Sequence, residues 1–276
     1  MTTMSAWEEK RVLIVGKTYP SYSESHDELT CTGGLLERSL ELVRLHPVPY
    51  RLFDDSRRFR DFQWVSVKLR PHDKDSRPGS YRIDPESIKL EEQIDPKDTD
   101  GRRRVLESCP QQFASVEALK HANGEKGTSL GIIRPFKITG CRVSRRSEDE
   151  IREWREKEVR VRSQSRLFGG RVMKIDAPEA TFMVKWYCND AECSSHEMAM
   201  HEWGLHELYR KYKEVPGGDE KVADEMKRRL NMDRYDLYFF LGNFKARRYN
   251  FGLMKVAFVA KERSGDKESQ GGLLWG

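Results

Sequence analysis

The sequence predicts an α+β protein built on small β-barrels with flanking helices. Three observations carry this expectation. The first part of the chain holds short β-rich runs at close spacing, punctuated by Gly and Pro, which suits a small barrel better than a βαβ sheet. Helical patterns then appear, one or two at a time, between further strand-like runs. Two aromatic strands close the chain around a basic turn.

Taken in order, "RVLIVGKTY" (Arg11–Tyr19) is a β-rich run closed by Pro20, and "ELTCTGGLL" (Glu28–Leu36) is a second, with a bulge or sharp bend expected at Gly33 and Gly34. "SLELVRLHPVPY" (Ser39–Tyr50) reads as strand, because Pro47 and Pro49 forbid helix there. A helix over Leu35–Leu45 fits the same leucines. "FQWVSVKLRP" (Phe62–Pro71) alternates cleanly. Residues 72–104 are polar and Pro/Gly-punctuated, so a loop is expected. "SCPQQFASVEALKHANG" reads as helix stopped at Gly124, and Thr128–Val143 returns to strand. Ser147–Glu150 is a capping-box pattern that opens a charged helix to about Arg162. Gly169–Cys188 is strand-like. Met198, His201, Leu205, Leu208 and Tyr212 repeat at helical spacing over Glu197–Lys213, and Val222, Met226 and Leu230 mark the next helix. "YDLYFFLGNF" and "YNFGLMKVAFVA" form a hairpin around "KARR". This divides the chain into residues 1–105, residues 106–265 and a frayed tail, 266–276.

Composition bounds the function. The chain has 276 residues, 37% hydrophobic and 34% charged, enough for a core beneath a heavily charged surface. No run approaches the roughly 18 to 20 apolar residues of a membrane span, and the N-terminus lacks a signal-peptide pattern. Five cysteines at uneven spacing favour a reducing cytoplasm. The net charge of +5 is mild, but residues 142–171 hold ten Lys or Arg against six Asp or Glu. An Arg-rich segment suits a phosphate-bearing partner, and equally a solvated helix face with i,i+4 ion pairs.

Two constellations stand out. In "CNDAECSSHEMAMHEWGLH", Cys188, Cys193, His196 and His201 offer four nitrogen and sulfur donors for a structural zinc. The competing reading makes the cysteines small buried hydrophobes and His201 a core histidine. His206 falls off the helical stripe. A catalytic reading needs Glu197 or Glu202 as base beside His196 and His201, yet "HEMAMH" is not the H-E-x-x-H arrangement. The second constellation is "YFFLGNFKARRYNF", where Phe244, Lys245, Arg247, Arg248 and Tyr249 interleave rings and cations. Bases stack on such rings while phosphates pair with the cations. Arg57 and Arg58, with Arg145 and Arg146, add basic spots. No Walker loop, G-x-G-x-x-G, G-x-S-x-G or nuclease carboxylate–lysine signature is present.

The chain resembles a scattered family of uncharacterised prokaryotic proteins with a pair of OB-like barrels. The resembling residues are Tyr19, Pro20, Glu28, Cys31, Thr32, Gly34, Arg44, Pro47, Pro49 and Trp64, then Cys193, His196, Glu202, Trp203, Asp236 and Gly242. The resemblance implies small OB-like β-barrels and, through them, oligonucleotide binding. It also places an acidic residue where this chain has His201, and makes Arg44 and Glu28 a buried pair or a ligand contact. The expectation is a non-catalytic nucleic-acid- or nucleotide-binding protein with a structural zinc turn; the alternative is a metal-dependent hydrolase or nuclease. A third reading is an interaction module.

Overall fold

The structure, a computed structural model, describes residues 6–23, 26–167 and 174–261. The 266–276 tail lies outside these, as does the side chain of Glu28.

Barrel formation follows from the early alternation. β1 (Glu8–Lys17), β3 (His26–Leu36), β4 (Leu42–Val48), β5 (Gln63–Pro71) and β6 (Ser80–Ile83) pair in the order β1–β3–β4–β6–β5, and β5 returns to β1. The ring is closed, with β4 and β6 parallel and its other pairs antiparallel. β2 (Ser21–Ser23) adds to β3, and β7 (Lys89–Gln93) adds to β5. Inward-facing Val12, Ile14, Val43, Leu45, Val65, Val67 and Leu69 fill the barrel. Strand, not helix, is what Pro47 and its neighbours form, because β4 finds partners on both edges.

Gly34 is required by close approach. A methyl there would sit 2.4 Å from Val12 Cγ1 and 3.0 Å from the Leu13 carbonyl. Gly34→Ala is therefore expected to lower stability by about 1–3 kcal/mol, read as a lower urea midpoint at unchanged slope. A midpoint equal to wild type would mean that β1 and β3 can part without cost.

The polar stretch 72–104 is not a structureless loop. It contributes β6, β7 and most of α1 (Thr99–Glu107). Short strands with few apolar residues, held by the ladder rather than by periodicity, escaped the sequence pattern.

The second half forms a seven-stranded sheet in the order β10–β11–β12–β14–β13–β9–β8. These are β8 (Gln112–Phe113), β9 (Leu130–Ile133), β10 (Lys137–Arg145), β11 (Ala180–Tyr187), β12 (His196–Met200), β13 (Tyr235–Phe244) and β14 (Arg247–Ala260). The sheet has two ends, so the pair of barrels implied by the resemblance is met by one closed barrel and one open sheet. Its helices are α2 (Val116–Lys126), α3 (Glu148–Leu167), α4 (Trp203–Tyr212) and α5 (Gly218–Arg229). α2 runs past Gly124 and stops at Gly127, whose φ of 69° supplies the left-handed turn. The capping box at Ser147 forms as expected, with Glu150 N–H donating to Ser147 Oγ.

Alternation along β13 sorts the packing. Leu237, Phe239 and Leu241 face α2, α4 and α5, joining Val116, Leu119, Phe182, Trp186, Leu205, Val222 and Met226 in one core. Tyr238 and Phe240 face the barrel, where they meet Leu13, Val15, Leu35, Leu42 and Trp64. The second sheet thus covers the outer surface of β1, β3 and β4. Arg44 crosses this seam: its Nη1 donates to Ser80 Oγ (3.0 Å) and Ser129 Oγ (3.3 Å), and its Nη2 to the Ser129 carbonyl.

One expected helix is wrong at its start. Residues 196–200 are strand, paired with β11 from Trp186↔His196 to Phe182↔Met200; α4 begins only after Glu202. The spacing of Met198 and His201 mimics a helical stripe, but ladder bonds to β11 decide the conformation.

Candidate functional site: a Cys/His turn and a basic hairpin

The Cys/His turn is built by three local features. β11 ends at Tyr187, delivering Cys188 into the core at 2% exposure. The turn closes through Cys193 N–H to the Asp190 carbonyl (3.1 Å) and Glu192 N–H to Asp190 Oδ1 (3.0 Å). Ser195, at φ 88°, then redirects the chain into β12. His196 opens that strand opposite Trp186, its ring 5.1 Å from the indole.

The three side chains converge. Cys188 Sγ lies 3.1 Å and Cys193 Sγ 3.4 Å from His196 Nε2. Tetrahedral zinc, with Zn–S about 2.3 Å and Zn–N about 2.0–2.1 Å, separates sulfur from nitrogen by roughly 3.6 Å. The donor types and spacing therefore fit a metal ion, and Cys188, Cys193 and His196 form a group that could hold one. Burial, with Cys193 alongside, pushes the Cys188 thiol up to about 12, while the Val116 N–H pulls the other way. Burial also lowers the His196 imidazole, against the pull of Glu117. A neutral imidazole beside a protonated thiol is what a divalent cation would convert to ligands.

The fourth expected donor is elsewhere. His201 follows β12, its backbone bonded to Leu253 and Tyr19 and its ring 5.6 Å from Phe244. Burial and then Arg146 lower its pKa. His206 stacks on Tyr19 at 4.2 Å and is pushed down to about 3 by burial, with Arg146 and His201 adding to it. The candidate general bases are engaged too. Glu197 points to the opposite face of β12 from His196 and pairs with Arg142 at 3.0 Å. Glu202 pairs with Lys255. What the sequence did not reveal is that the start of α2 meets this turn: Val116 N–H donates to Cys188 Sγ (3.4 Å) from 72 residues away, and no local pattern announces it.

The basic hairpin joins β13 to β14. Asn243 Nδ2 donates to the Arg248 carbonyl (2.8 Å), pinning the tip. Phe244 is 38% and Tyr249 69% exposed. Gly252 leaves room for the Phe244 ring, which a methyl would meet at 2.6 Å. Among the described residues Lys245 and Arg247 have no carboxylate partner, and the Arg248 side chain donates to Ser76 Oγ (2.9 Å). The 72–79 loop between β5 and β6 abuts this tip, since Arg77, held by Asp75 (2.6 Å), also donates to the Asn243 carbonyl.

The remaining basic candidates are placed differently. Arg57 is paired with Glu86 (2.7 Å) and Asp54 (3.0 Å), and Arg58 with Asp55 (3.4 Å), in the 54–58 turn. Arg145 pairs with Asp219 at 2.8 Å. Arg146 follows β10, its backbone N–H donating to the Glu179 carbonyl (2.8 Å); its charge helps to lower His201 and His206, and its buried Nε has no hydrogen-bond partner among the described residues.

Fold and site together define an α+β protein: a closed five-strand OB-like barrel sealed onto an open sheet that carries a metal-competent Cys/His turn. Residues 111–270, more than half of the chain, match the family described as Domain of unknown function (DUF8757), and the chain belongs to that family. Residues 8–108 match a second one, Domain of unknown function (DUF8758). No curated protein matches the chain.

Proposed function

We propose that the protein binds single-stranded nucleic acid or a nucleotide at the β13–β14 tip, without catalysis. The observation that carries this reading is the set of exposed rings and cations, Phe244, Lys245, Arg247, Arg248 and Tyr249, the cations without a carboxylate partner among the described residues, beside the 72–79 loop. In an OB-fold the loop between the fourth and fifth barrel strands is one of the oligonucleotide-binding elements, and 72–79 occupies that place. The usual strand 2–3 face corresponds to β3–β4, which the second sheet covers. Binding therefore moves to the rim. Cys188, Cys193 and His196 hold zinc in this reading, and the zinc fixes the sheet rather than touching the ligand. None of the five cysteines is in a disulfide, in keeping with a cytoplasmic setting. No helix among the described residues is long and apolar enough to cross a membrane.

Fluorescence anisotropy with a labelled single-stranded oligonucleotide tests this. Binding should weaken steeply with salt. Arg247→Ala with Arg248→Ala should weaken it about 10-fold or more and reduce the salt slope by roughly 0.7 for each phosphate no longer neutralised. Tyr249→Ala should cost about 1–3 kcal/mol if one base stacks on it. Salt-insensitive signal, or a double variant that binds like wild type, would remove the proposal.

A further inference from the structure

The Cys/His turn supplies three donors, and a closed structural zinc site has four. The fourth donor must be a carboxylate, thiol or imidazole that reaches the convergent edge of His196, and His201 is directed at Phe244 instead. One does. Glu117 Oε2 lies 3.6 Å from His196 Nε2, the ring nitrogen that faces both sulfurs. An oxygen and a nitrogen bound to one tetrahedral zinc stand roughly 3.4 Å apart. We infer that Glu117 is the fourth ligand, giving a Cys188, Cys193, His196, Glu117 site; this rests on the zinc reading above.

The backbone is arranged to present this carboxylate. Ser115 Oγ accepts from Ala118 N–H (3.1 Å) and starts α2. Val116 and Leu119 are wholly buried in the sheet-side core, so the first turn cannot drift. Val116 N–H donates to Cys188 Sγ, the kind of outer hydrogen bond that orients a metal ligand. Glu117 is next in line, and its side chain is 55% exposed, with a long 3.9 Å approach to Lys120. Its carboxylate stands outside the 4.8 Å cluster formed by the other three ligand atoms, so ligation requires this exposed side chain to rotate towards the sulfurs. Such a site would bolt the start of α2 to the end of β11 and the start of β12, joining segments that are distant in sequence.

The test uses the full chain loaded with Co2+ in place of zinc, and zinc competition against a chromophoric chelator. Wild type should bind one metal per chain, and its visible Co2+ spectrum should not respond to added azide, because no position is open. Glu117→Gln and Glu117→Ala should keep their far-ultraviolet dichroism yet bind zinc about 10- to 100-fold more weakly, and the Glu117→Ala Co2+ spectrum should shift with azide. One metal per chain with unchanged affinity in both variants, or a wild-type spectrum that azide shifts, would put water in the fourth place and overturn the assignment while leaving the three-ligand site standing. A wild type that takes up no metal would overturn both.

Discussion

Cys188→Ser is expected to abolish metal retention and lower the melting temperature by roughly 10 °C. A ligand that binds only the folded state stabilises it by about 4 kcal/mol when its free concentration is about a thousand times its dissociation constant. In a chain of this size each kcal/mol moves the midpoint by roughly 2–4 °C. Cys188 is the deepest of the three donors, at 2% exposure, and has both His196 Nε2 and the Val116 N–H against its sulfur. Part of the loss has nothing to do with metal, because a buried hydroxyl in place of a thiol costs about 1–3 kcal/mol unless it is hydrogen-bonded. Chelator-treated wild type separates the two contributions. It should lose most of the difference, and the variant should be indifferent to chelator. Elemental analysis gives the direct reading: one zinc per wild-type chain and less than a tenth in the variant. A wild type unmoved by chelator would sink the zinc reading.

The second large effect is expected at Lys255, which carries a buried charge across the seam between barrel and sheet. Its ammonium pairs with Asp61 of the barrel at 2.8 Å and with Glu202 at the start of α4. Its stem passes over Gly16, where a methyl would lie 2.6 Å from Lys255 Cδ. Lys255→Met keeps the stem and removes the charge, leaving two carboxylates without their shared cation, and should cost about 3–5 kcal/mol. The pH dependence has a definite sign. Burial resists ionisation of Asp61, but the ammonium groups of Lys255 and Lys17 outweigh it and hold its pKa below the ordinary value. Its contribution is therefore present above the unfolded value of about 3.9 and is lost as pH falls through the folded one. Burial likewise works against charged Lys255, and Asp61 and Glu202 outweigh it and raise its pKa. That contribution is full below about 10.4 and is lost as pH rises through the folded value. Wild type should thus be flat between about pH 5 and 9 as far as this cluster is concerned. In Lys255→Met, Asp61 loses its counter-charge and titrates higher, so the variant should gain stability on acidification from pH 7 to 5. Urea midpoints at the two pH values decide it. A variant within about 1 kcal/mol of wild type, or one with the same pH trend, would show the cluster to be dispensable.

Much of the barrel was legible in the apolar residues its strands bury. In β5, Val65, Val67 and Leu69 alternate with Ser66 and Lys68, a direct imprint of the pleat, whereas β1 is buried on both faces and reads as a continuous apolar run. β6 and β7 were not legible, since Ser80 and the glutamates of "KLEEQ" carry no such imprint and take their conformation from neighbours. The same cause misassigned His196–Met200, where pairing with β11 overrides a spacing that suits a helix. Of the proposed zinc ligands, Cys188, Cys193 and His196 were visible because the chain turns back on itself within nine residues. Glu117 was invisible, because the approach of the start of α2 to the end of β11 leaves no trace in local sequence. The hairpin tip was readable for the opposite reason: a two-strand connection keeps sequence neighbours together in space.

The seam between barrel and sheet has a consequence for how the two matched regions are inherited. Leu13, Leu35, Leu42 and Trp64 on one side and Tyr238, Phe240 and Val259 on the other bury each other. Parted after residue 108, each piece would carry a contiguous apolar face, an invitation to aggregate. A recombination event that moved either half alone would expose that face. Substitutions at Trp64 should be answered at Tyr238 or Val259 over evolutionary time, so the two regions drift as partners rather than as interchangeable modules.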